Sequence, residues 1–410
     1  MGRRRAAKDG RTRARAPGIP VLGPLAPNSA RRAPASLPSD STTQPVKDHL
    51  AKGPEAAEPQ AVVGSFWFDS GQGSASYTAT VRFTGRRVGS RGHVSRDTFV
   101  QDETIEGVVP GTGPVSITTS VHGVPAGAWA VTGALIRPAG LRRAAHAVHP
   151  AAWSWRRWAV ATGPEAPLRT RWALLAPLAR QPAVIPGIYT VLGVLSIILA
   201  VAVQSAILGR GDVPVNRSLL ASGLTILFGL IGAKAWYAVL HPGESIIRGG
   251  WAVDGFLIVF PIVAAVILAT LDLPVGAVLD AAAPGVFFAV AIGRIGCFLT
   301  GCCAGRCTAS RWSIWSSDRR VGARRIPTQL LESGAGLLLG VVTMVIVLAG
   351  SPLAPGVVFV VGYAGYTAVR QVLLPLRVER RASARTVPLT AVAAVVVAFV
   401  VATVSVVQPT

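Results

Sequence analysis

The sequence has few acidic residues and few cysteines for its length of 410 residues. Only 19 aspartates and glutamates accompany 40 lysines and arginines, which gives a formal net charge of +21. All four cysteines lie in one short block, so they cannot supply a disulfide framework for the whole chain. The basic start Met1-Gly-Arg-Arg-Arg is not followed by the apolar stretch of a secretory signal peptide, and we expect no ordinary signal there.

The excess of basic residues is compatible with nucleic acid or with a membrane surface, and the distribution of the charges distinguishes the two. Basic residues concentrate in the N-terminal tail and in the loops that flank apolar segments. In such places they meet anionic lipid headgroups. We therefore predict a membrane partner and no nucleic-acid partner.

Hydrophobic residues make up 51% of the whole chain. Many of them lie in long apolar runs that begin near residue 186. Each run has roughly 20 residues, enough to cross the bilayer core as a helix. The sequence predicts an all-α polytopic membrane bundle of about seven transmembrane helices. The predicted spans are 187–208, 218–240, 253–271, 276–299, 328–349, 355–374 and 386–407.

The residues ahead of the spans divide into three regions. Residues 1–60 lack apolar surface and are predicted to be a disordered basic tail. Residues 61–140 contain runs of period-2 alternation, as around Val81 and Ile117, which predict a small all-β sandwich. Residues 141–185 interleave tryptophan with arginine and are predicted to be an interfacial linker before the transmembrane domain, 186–410.

Two arginines lie at membrane depth. Arg294 ends the fourth apolar run and Arg370 lies deep in the sixth. A guanidinium group in hydrocarbon needs an anionic partner, and its planar fork of donors suits phosphate. The pair predicts a cavity for an anionic ligand, with a purely structural salt-bridge network as the alternative.

The cysteine block, Cys297, Cys302, Cys303 and Cys307, lacks the C-x2-C spacing of common zinc sites. Adjacent cysteines do not easily point at one metal ion. We therefore predict that these residues pack a helix end and bind no metal, with a soft-metal site or a redox pair as the alternative.

Short motifs follow one another in order over residues 185–380: Gly293-Arg-Ile-Gly296 with Gly301 and Gly305, Arg325-x-Pro327-x-Gln329-Leu-x-Glu332, and Tyr366-x3-Arg370 with Arg377 beyond. Their combination and order resemble the signature region of the prolipoprotein diacylglyceryl transferases. The resemblance implies a multi-pass enzyme of the bacterial inner membrane. Such an enzyme transfers the diacylglyceryl group of phosphatidylglycerol to the lipobox cysteine thiol of a prolipoprotein, and it uses no cofactor.

The resemblance also implies roles for individual residues. Arg294 and Arg370 would hold the lipid phosphate, Tyr366 would hydrogen-bond nearby, and Glu332 would organise the polar floor of the site. Asp254 would replace the family's histidine as a base. The positions implied to bind substrate are Gly293, Gly296, Gly301, Gly305, Arg325, Gln329, Arg377, Gly249 and Gly250.

Several family positions are substituted in this chain. Cys297 replaces an asparagine, Cys302 replaces a glutamate, and Leu374 stands where the family has a glutamate. Two alternatives to the transferase therefore stay open. One is a catalytically inactive membrane paralogue that binds phospholipid or a protein partner, and the other is a thiol or metal membrane protein that uses the cysteine block.

Overall fold

The computed structural model describes residues 59–90, 95–138, 145–148, 150–154, 159–162, 167–240, 253–350 and 353–378. Several predictions concern residues outside these ranges. They are the predicted disordered tail up to residue 58, the seventh span at 386–407, and Gly249 and Gly250.

The amino-terminal region is rich in β-strands, as the alternating sequence pattern predicted. The strands are β1 (Gln60–Asp69), β2 (Tyr77–Arg87), β3 (Thr98–Val108), β4 (Pro114–Val124), β5 (Ala128–Arg137), β6 (His146–Ala147), β7 (Ala151–Ser154), β8 (Ala159–Thr162), β9 (Leu168–Arg169) and β10 (Arg171–Trp172).

Most of these strands belong to two antiparallel sheets. One sheet contains β3, β2, β5 and β6 in this order, with β9 also paired to β5. The other contains β10, β1 and β4, while β7 and β8 form a separate hairpin. Strands β9 and β10 lie in the stretch predicted as a linker, so part of that stretch contributes to the sheets.

Both sheets contribute to one hydrophobic core, which explains the alternation of apolar residues in β2 and β5. Phe66 of β1, Phe83 of β2, Ile117 of β4 and Trp129 of β5 are all buried in it. In β2 and β5 the residues between the apolar ones are mostly exposed, as expected for strands with one buried face, whereas Ser116 and Thr118 of β4 are buried as well. The predicted strands around Val81 and Ile117 are confirmed.

A hairpin from the membrane region extends the sheet that contains β1 and β4. Its strands, β11 (Ile314–Ser317) and β12 (Val321–Arg325), follow the fourth long helix, and β12 pairs antiparallel with β4. Trp315 stacks on Trp67 of β1 at 5.3 Å between ring centroids and donates its indole N–H to the carbonyl of Pro114 at 3.1 Å. Its sequence is polar and rich in arginine, which gave no indication of this pairing.

The helices occupy the predicted positions. They are α1 (Ile188–Leu208), α2 (Val215–Leu240), α3 (Val253–Thr270), α4 (Val275–Thr300), α5 (Thr328–Leu348) and α6 (Val357–Leu373), with a short 3-10 helix at Leu374–Leu376. Helices α3 and α4 are joined by a tight turn in which Asp272 adopts a left-handed conformation, with φ of 51°.

Helices of sufficient length and apolar character to cross a membrane are α1, α2, α4, α5 and the segment Val357–Leu376. Helix α3 carries a shorter apolar stretch, Ile258–Thr270. These helices expose many large apolar side chains outward, which fits a surface covered by lipid. The chain is therefore a multi-pass membrane protein.

Helix α4 lies against α1, α5 and α6 and carries the residues that begin the site. Its contact with α1 is close at Gly285, where a Cβ atom would stand only 2.6 Å from the backbone oxygen of Ala200. Small residues permit such close approach of membrane helices. The close packing fixes the middle of α4 against α1.

Candidate functional site

Arg294 and Glu332 form a buried ion pair between two neighbouring helices. Arg294 lies near the end of α4 and Glu332 in the first turns of α5. The Nε atom of Arg294 lies 2.8 Å from a carboxylate oxygen of Glu332. Arg294 is only 4% exposed and Glu332 is fully buried, so each charge depends on the other for compensation.

Two further guanidinium groups converge on the same carboxylate. Arg370 of α6 places Nη1 at 3.9 Å from Glu332, and Arg377 donates a hydrogen bond to the other oxygen. We call Arg294, Arg370 and Arg377 the arginine cluster. Three guanidinium groups around one carboxylate carry a formal excess of two positive charges within this group.

Tyr366 belongs to the same site. It lies one helical turn before Arg370 on α6, and its hydroxyl accepts a hydrogen bond from Nη2 of Arg294 at 3.4 Å. The side chain is buried. The predicted group of Arg294, Arg370, Tyr366 and Glu332 is thus brought together by three helices.

Arg377 reaches the site because its backbone pairs with the loop after α4. The chain leaves α6 through the 3-10 turn, and Arg306 N–H then donates to the carbonyl of Leu376 at 2.9 Å. Gly305 pairs with Arg377 in a β-bridge. A Cβ at Gly305 would stand 2.0 Å from the backbone oxygen of Ile326, so only glycine fits there.

Three thiols lie beside the arginine cluster. The Sγ atoms of Cys297, Cys302 and Cys303 all lie within 4.8 Å of one another. Nη1 of Arg294 is 4.0 Å from Sγ of Cys297. The expectation that adjacent cysteines do not easily point at one site is wrong for Cys302 and Cys303. Cys303 adopts a left-handed conformation with φ of 55°, and its Sγ lies close to the other two.

The turn that carries these thiols is held by backbone contacts with α5. Gln329 donates its side-chain amide to the carbonyl of Cys302 at 2.9 Å, and Thr328 donates its hydroxyl to the carbonyl of Cys303 at 3.3 Å. Gly301, with φ of 74°, ends α4 in a left-handed conformation. The predicted positions Gly301 and Gln329 therefore shape this turn.

The fourth thiol is separate. Cys307 packs against the hydrophobic core of the two sheets. Burial raises the pKa of the Cys307 thiol. The cysteine block thus divides into a cluster of three and one isolated member.

Arg325 does not join the arginine cluster. Its guanidinium group donates to Asp318 at 2.7 Å and to the carbonyl of Gly305 at 3.1 Å. The side chain is buried between the β11–β12 hairpin and the loop after α4. In the structure it links these two segments.

The remaining predicted positions are Gly293 and Gly296 on α4 and Asp254 on α3. A Cβ at Gly293 would meet nothing within 4 Å, whereas one at Gly296 would lie 3.2 Å from the ring of Tyr189. Asp254 lies in the first turn of α3. The sequence did not predict the close approach of Cys303 to the other thiols. The one local signal of a left-handed turn in this segment is Gly301, two positions earlier.

Comparisons with a protein family and with individual relatives give the same family name. The family described as prolipoprotein diacylglyceryl transferase matches residues 184–407. The phosphatidylglycerol–prolipoprotein diacylglyceryl transferase of Dehalococcoides mccartyi is 31% identical over 158 residues, which cover 36% of this chain and 60% of the relative. Proteins of the same name from two other strains of this species are 29% identical over 158 residues, with the same coverage.

The chain thus spans less than two thirds of the length of these curated relatives. The family match is broader, since it extends from just before α1 to beyond α6 and includes every member of the arginine cluster. Because this match covers more than half of the chain, the protein belongs to the prolipoprotein diacylglyceryl transferase family.

Proposed function

We propose that this protein transfers the diacylglyceryl group of phosphatidylglycerol to the lipobox cysteine of prolipoproteins in the bacterial inner membrane. The observation that carries the proposal is the convergence of Arg294, Arg370 and Arg377 on Glu332 inside an apolar helix bundle. Excess positive charge in a low-dielectric site attracts an anion of the lipid surroundings. A phosphodiester headgroup provides that anion.

The chemistry of the transfer fits such a site. The substrate thiol loses its proton, and the thiolate attacks the glycerol carbon that carries the phosphate. A carbon–sulfur bond forms, the carbon–oxygen bond to phosphate breaks, and glycerol phosphate departs with the electron pair. The arginine cluster would stabilise the negative charge on the departing phosphate.

Individual residues have distinct parts in the proposal. Arg294 and Arg370 hold the phosphate, Glu332 fixes the guanidinium groups, and Tyr366 positions Arg294 through its hydroxyl. We assign the acceptance of the thiol proton to Asp254, because a carboxylate stands there in place of the family's histidine.

The chain would be organised as a catalytic membrane domain with an appended β domain. Residues 186–410 would form the catalytic bundle of about seven spans, and residues 61–140 would form an appended β-sandwich. Phosphatidylglycerol and the prolipoprotein signal peptide would reach the site from within the membrane.

The test is complementation in bacteria depleted of their resident transferase. Mass spectrometry of a prolipoprotein reporter should show the diacylglyceryl modification when this chain is expressed. Arg294→Ala and Arg370→Ala should each abolish it, whereas Arg210→Ala, in the exposed turn after α1, should not. Size-exclusion chromatography in detergent establishes that each variant is inserted and folded.

An unmodified reporter in cells that contain the folded wild-type protein would contradict the proposal. If phosphatidylglycerol still bound such a protein, the result would favour the inactive lipid-binding paralogue. Full modification by both arginine variants would contradict the role of the cluster and leave the transferase activity in place.

A further inference from the structure

We propose that Cys297, Cys302 and Cys303 form a binding site for a thiophilic d10 metal ion, Zn²⁺ or Cu⁺, beside the arginine cluster. Their three Sγ atoms lie within 4.8 Å of one another. A zinc–sulfur bond is about 2.3 Å, so sulfurs around one tetrahedral ion are about 3.8 Å apart. An ion bound by all three cysteines would hold their sulfurs at about this separation.

The backbone that presents these sulfurs is strained, and the strain is specific to this arrangement. Cys303 has φ of 55°, a left-handed conformation that is unfavourable for a residue other than glycine. Such conformations persist when the surrounding structure imposes them, and they concentrate at functional sites. Here the conformation directs the side chains of two successive cysteines toward Cys297.

Neighbouring groups hold the turn in this geometry. The carbonyls of Cys302 and Cys303 accept hydrogen bonds from Gln329 and Thr328 at the start of α5. The N–H of Cys302 donates to the carbonyl of Cys297 at 3.1 Å. Outer contacts of this kind orient ligands before a metal ion binds.

The charge of the surroundings matches that of a metal–thiolate centre. Three thiolates with Zn²⁺ carry a net charge of −1, and with Cu⁺ a net charge of −2. Arg294 lies 4.0 Å from Sγ of Cys297, and the arginine cluster carries an excess of positive charge. The negative centre is therefore electrostatically compensated by its neighbours, in a site where Cys297 is buried and the other two cysteines are partly buried.

The donor set selects the ion. Three sulfurs favour soft or borderline cations over Mg²⁺ and Ca²⁺, which prefer oxygen. Cu⁺ is satisfied by three thiolates in a plane, whereas Zn²⁺ takes water as a fourth ligand. The two ions are thus alternative occupants of one site of the same chemistry.

The experiment measures metal binding by the purified full-length protein in detergent, isolated through a tag without histidine. The protein is reduced, incubated with Zn²⁺ or with Cu⁺ under anaerobic conditions, and separated from free ions before elemental analysis. We expect about one ion per chain. Single substitutions Cys297→Ser, Cys302→Ser and Cys303→Ser should each weaken binding by at least about 100-fold.

Cys307→Ser is the matched control, since Cys307 packs against the core of the sheets and lies outside the cluster. It should retain the wild-type metal content. Absence of stoichiometric metal in the reduced wild-type protein would overturn the proposal, as would wild-type binding by all three cluster variants or loss of metal in Cys307→Ser.

A second measurement avoids substitutions altogether. Alkylation of the wild-type protein with iodoacetamide, followed by peptide mapping, gives the reaction rate of each cysteine. Metal should slow alkylation of the three cluster cysteines and leave that of Cys307 unchanged, whereas equal rates with and without metal would overturn the proposal. Both measurements use protein without lipid or prolipoprotein, so their failure is distinguishable from failure of the proposed transferase function.

Discussion

Glu332 and Arg294 form an ion pair across the interface of α4 and α5, with 2.8 Å between Nε of the arginine and a carboxylate oxygen. The carboxylate is fully buried and also faces Arg370 and Arg377. Breaking a buried ion pair by removing one partner leaves an uncompensated charge, which costs far more than the loss of an exposed pair. Glu332 is therefore expected to be essential to the folded state as well as to the site.

The substitution Glu332→Gln should lower the free energy of unfolding by about 3 kcal/mol or more, because three guanidinium groups would lose their shared countercharge. Denaturant titration in mixed micelles measures the change. Asp102→Asn is the matched control, since Asp102 pairs with Arg82 on the exposed surface of the sheets and should have little effect. Equal stability of the Glu332 variant and the wild type would contradict the prediction.

Arg294→Lys retains the positive charge but loses the planar fork. Arginine contacts Glu332 through Nε and Tyr366 through Nη2, and a single ammonium group cannot reproduce both contacts. Loss of one charge-assisted hydrogen bond, about 1.5 kcal/mol or more, should reduce diacylglyceryl transfer by at least about ten-fold. The rate is measured with a prolipoprotein peptide in lipid vesicles.

Arg210→Lys serves as the control for this measurement, because Arg210 is exposed in the turn after α1. It should transfer at the wild-type rate. If Arg294→Lys matched that rate, the geometry of the fork would have no part in the reaction.

Gly305→Ala should destabilise the protein by about 2 kcal/mol or more. Its Cβ would stand 2.0 Å from the backbone oxygen of Ile326, and neither segment can move without disturbing the bridge to Arg377. Gly334→Ala on α5 is the matched control, since its Cβ would meet nothing within 4 Å. Thermal unfolding in detergent should show a lower midpoint for the first variant and an unchanged or higher midpoint for the second.

Trp315→Ala should weaken the attachment of the β11–β12 hairpin to the sheet by about 2 kcal/mol, because it removes both the stacking on Trp67 and the hydrogen bond to Pro114. Limited proteolysis within residues 314–325 should become faster. Trp312→Ala is the control, since Trp312 is 74% exposed. Equal cleavage rates in the two variants would show that the stacked pair does not hold the hairpin.

The positions of the helices and of the main strands could be predicted from sequence, because their signals are local. The length of an apolar run determines whether it can span a bilayer, and alternation around Val81 and Ile117 determines which face of a strand is buried. The tight turn at Asp272 follows from the short gap between two such runs.

The pairing of β12 with β4 could not be predicted in this way. It joins residues near 117 to residues near 321, and no local pattern specifies which distant strand will complete an edge. The arginine-rich composition of the hairpin is also typical of an ordinary polar loop. Its membership of the sheet depends on tertiary contacts such as that between Trp67 and Trp315.

The site was predictable in its residues and less so in its geometry. Arg294, Glu332 and Arg370 stand out as charges in apolar segments, and the structure brings them together. The direct contact of Arg377 with Glu332 depends on the 3-10 turn after α6, and the approach of the thiols depends on the sign of φ at Cys303. The spacing of residues along the sequence predicts neither the contact of Arg377 with Glu332 nor the approach of the thiols.

The joining of β12 to β4 has a consequence for biosynthesis. The amino-terminal strands leave the ribosome long before the hairpin that completes their sheet, and four apolar helices are made in between. The edge of β4 that later pairs with β12 therefore stays unpaired while α1–α4 are synthesised and enter the bilayer. Since β4 and β12 belong to one sheet, the amino-terminal region and the segment after α4 must lie on the same side of the membrane. If one of them is translocated, the other must be translocated as well.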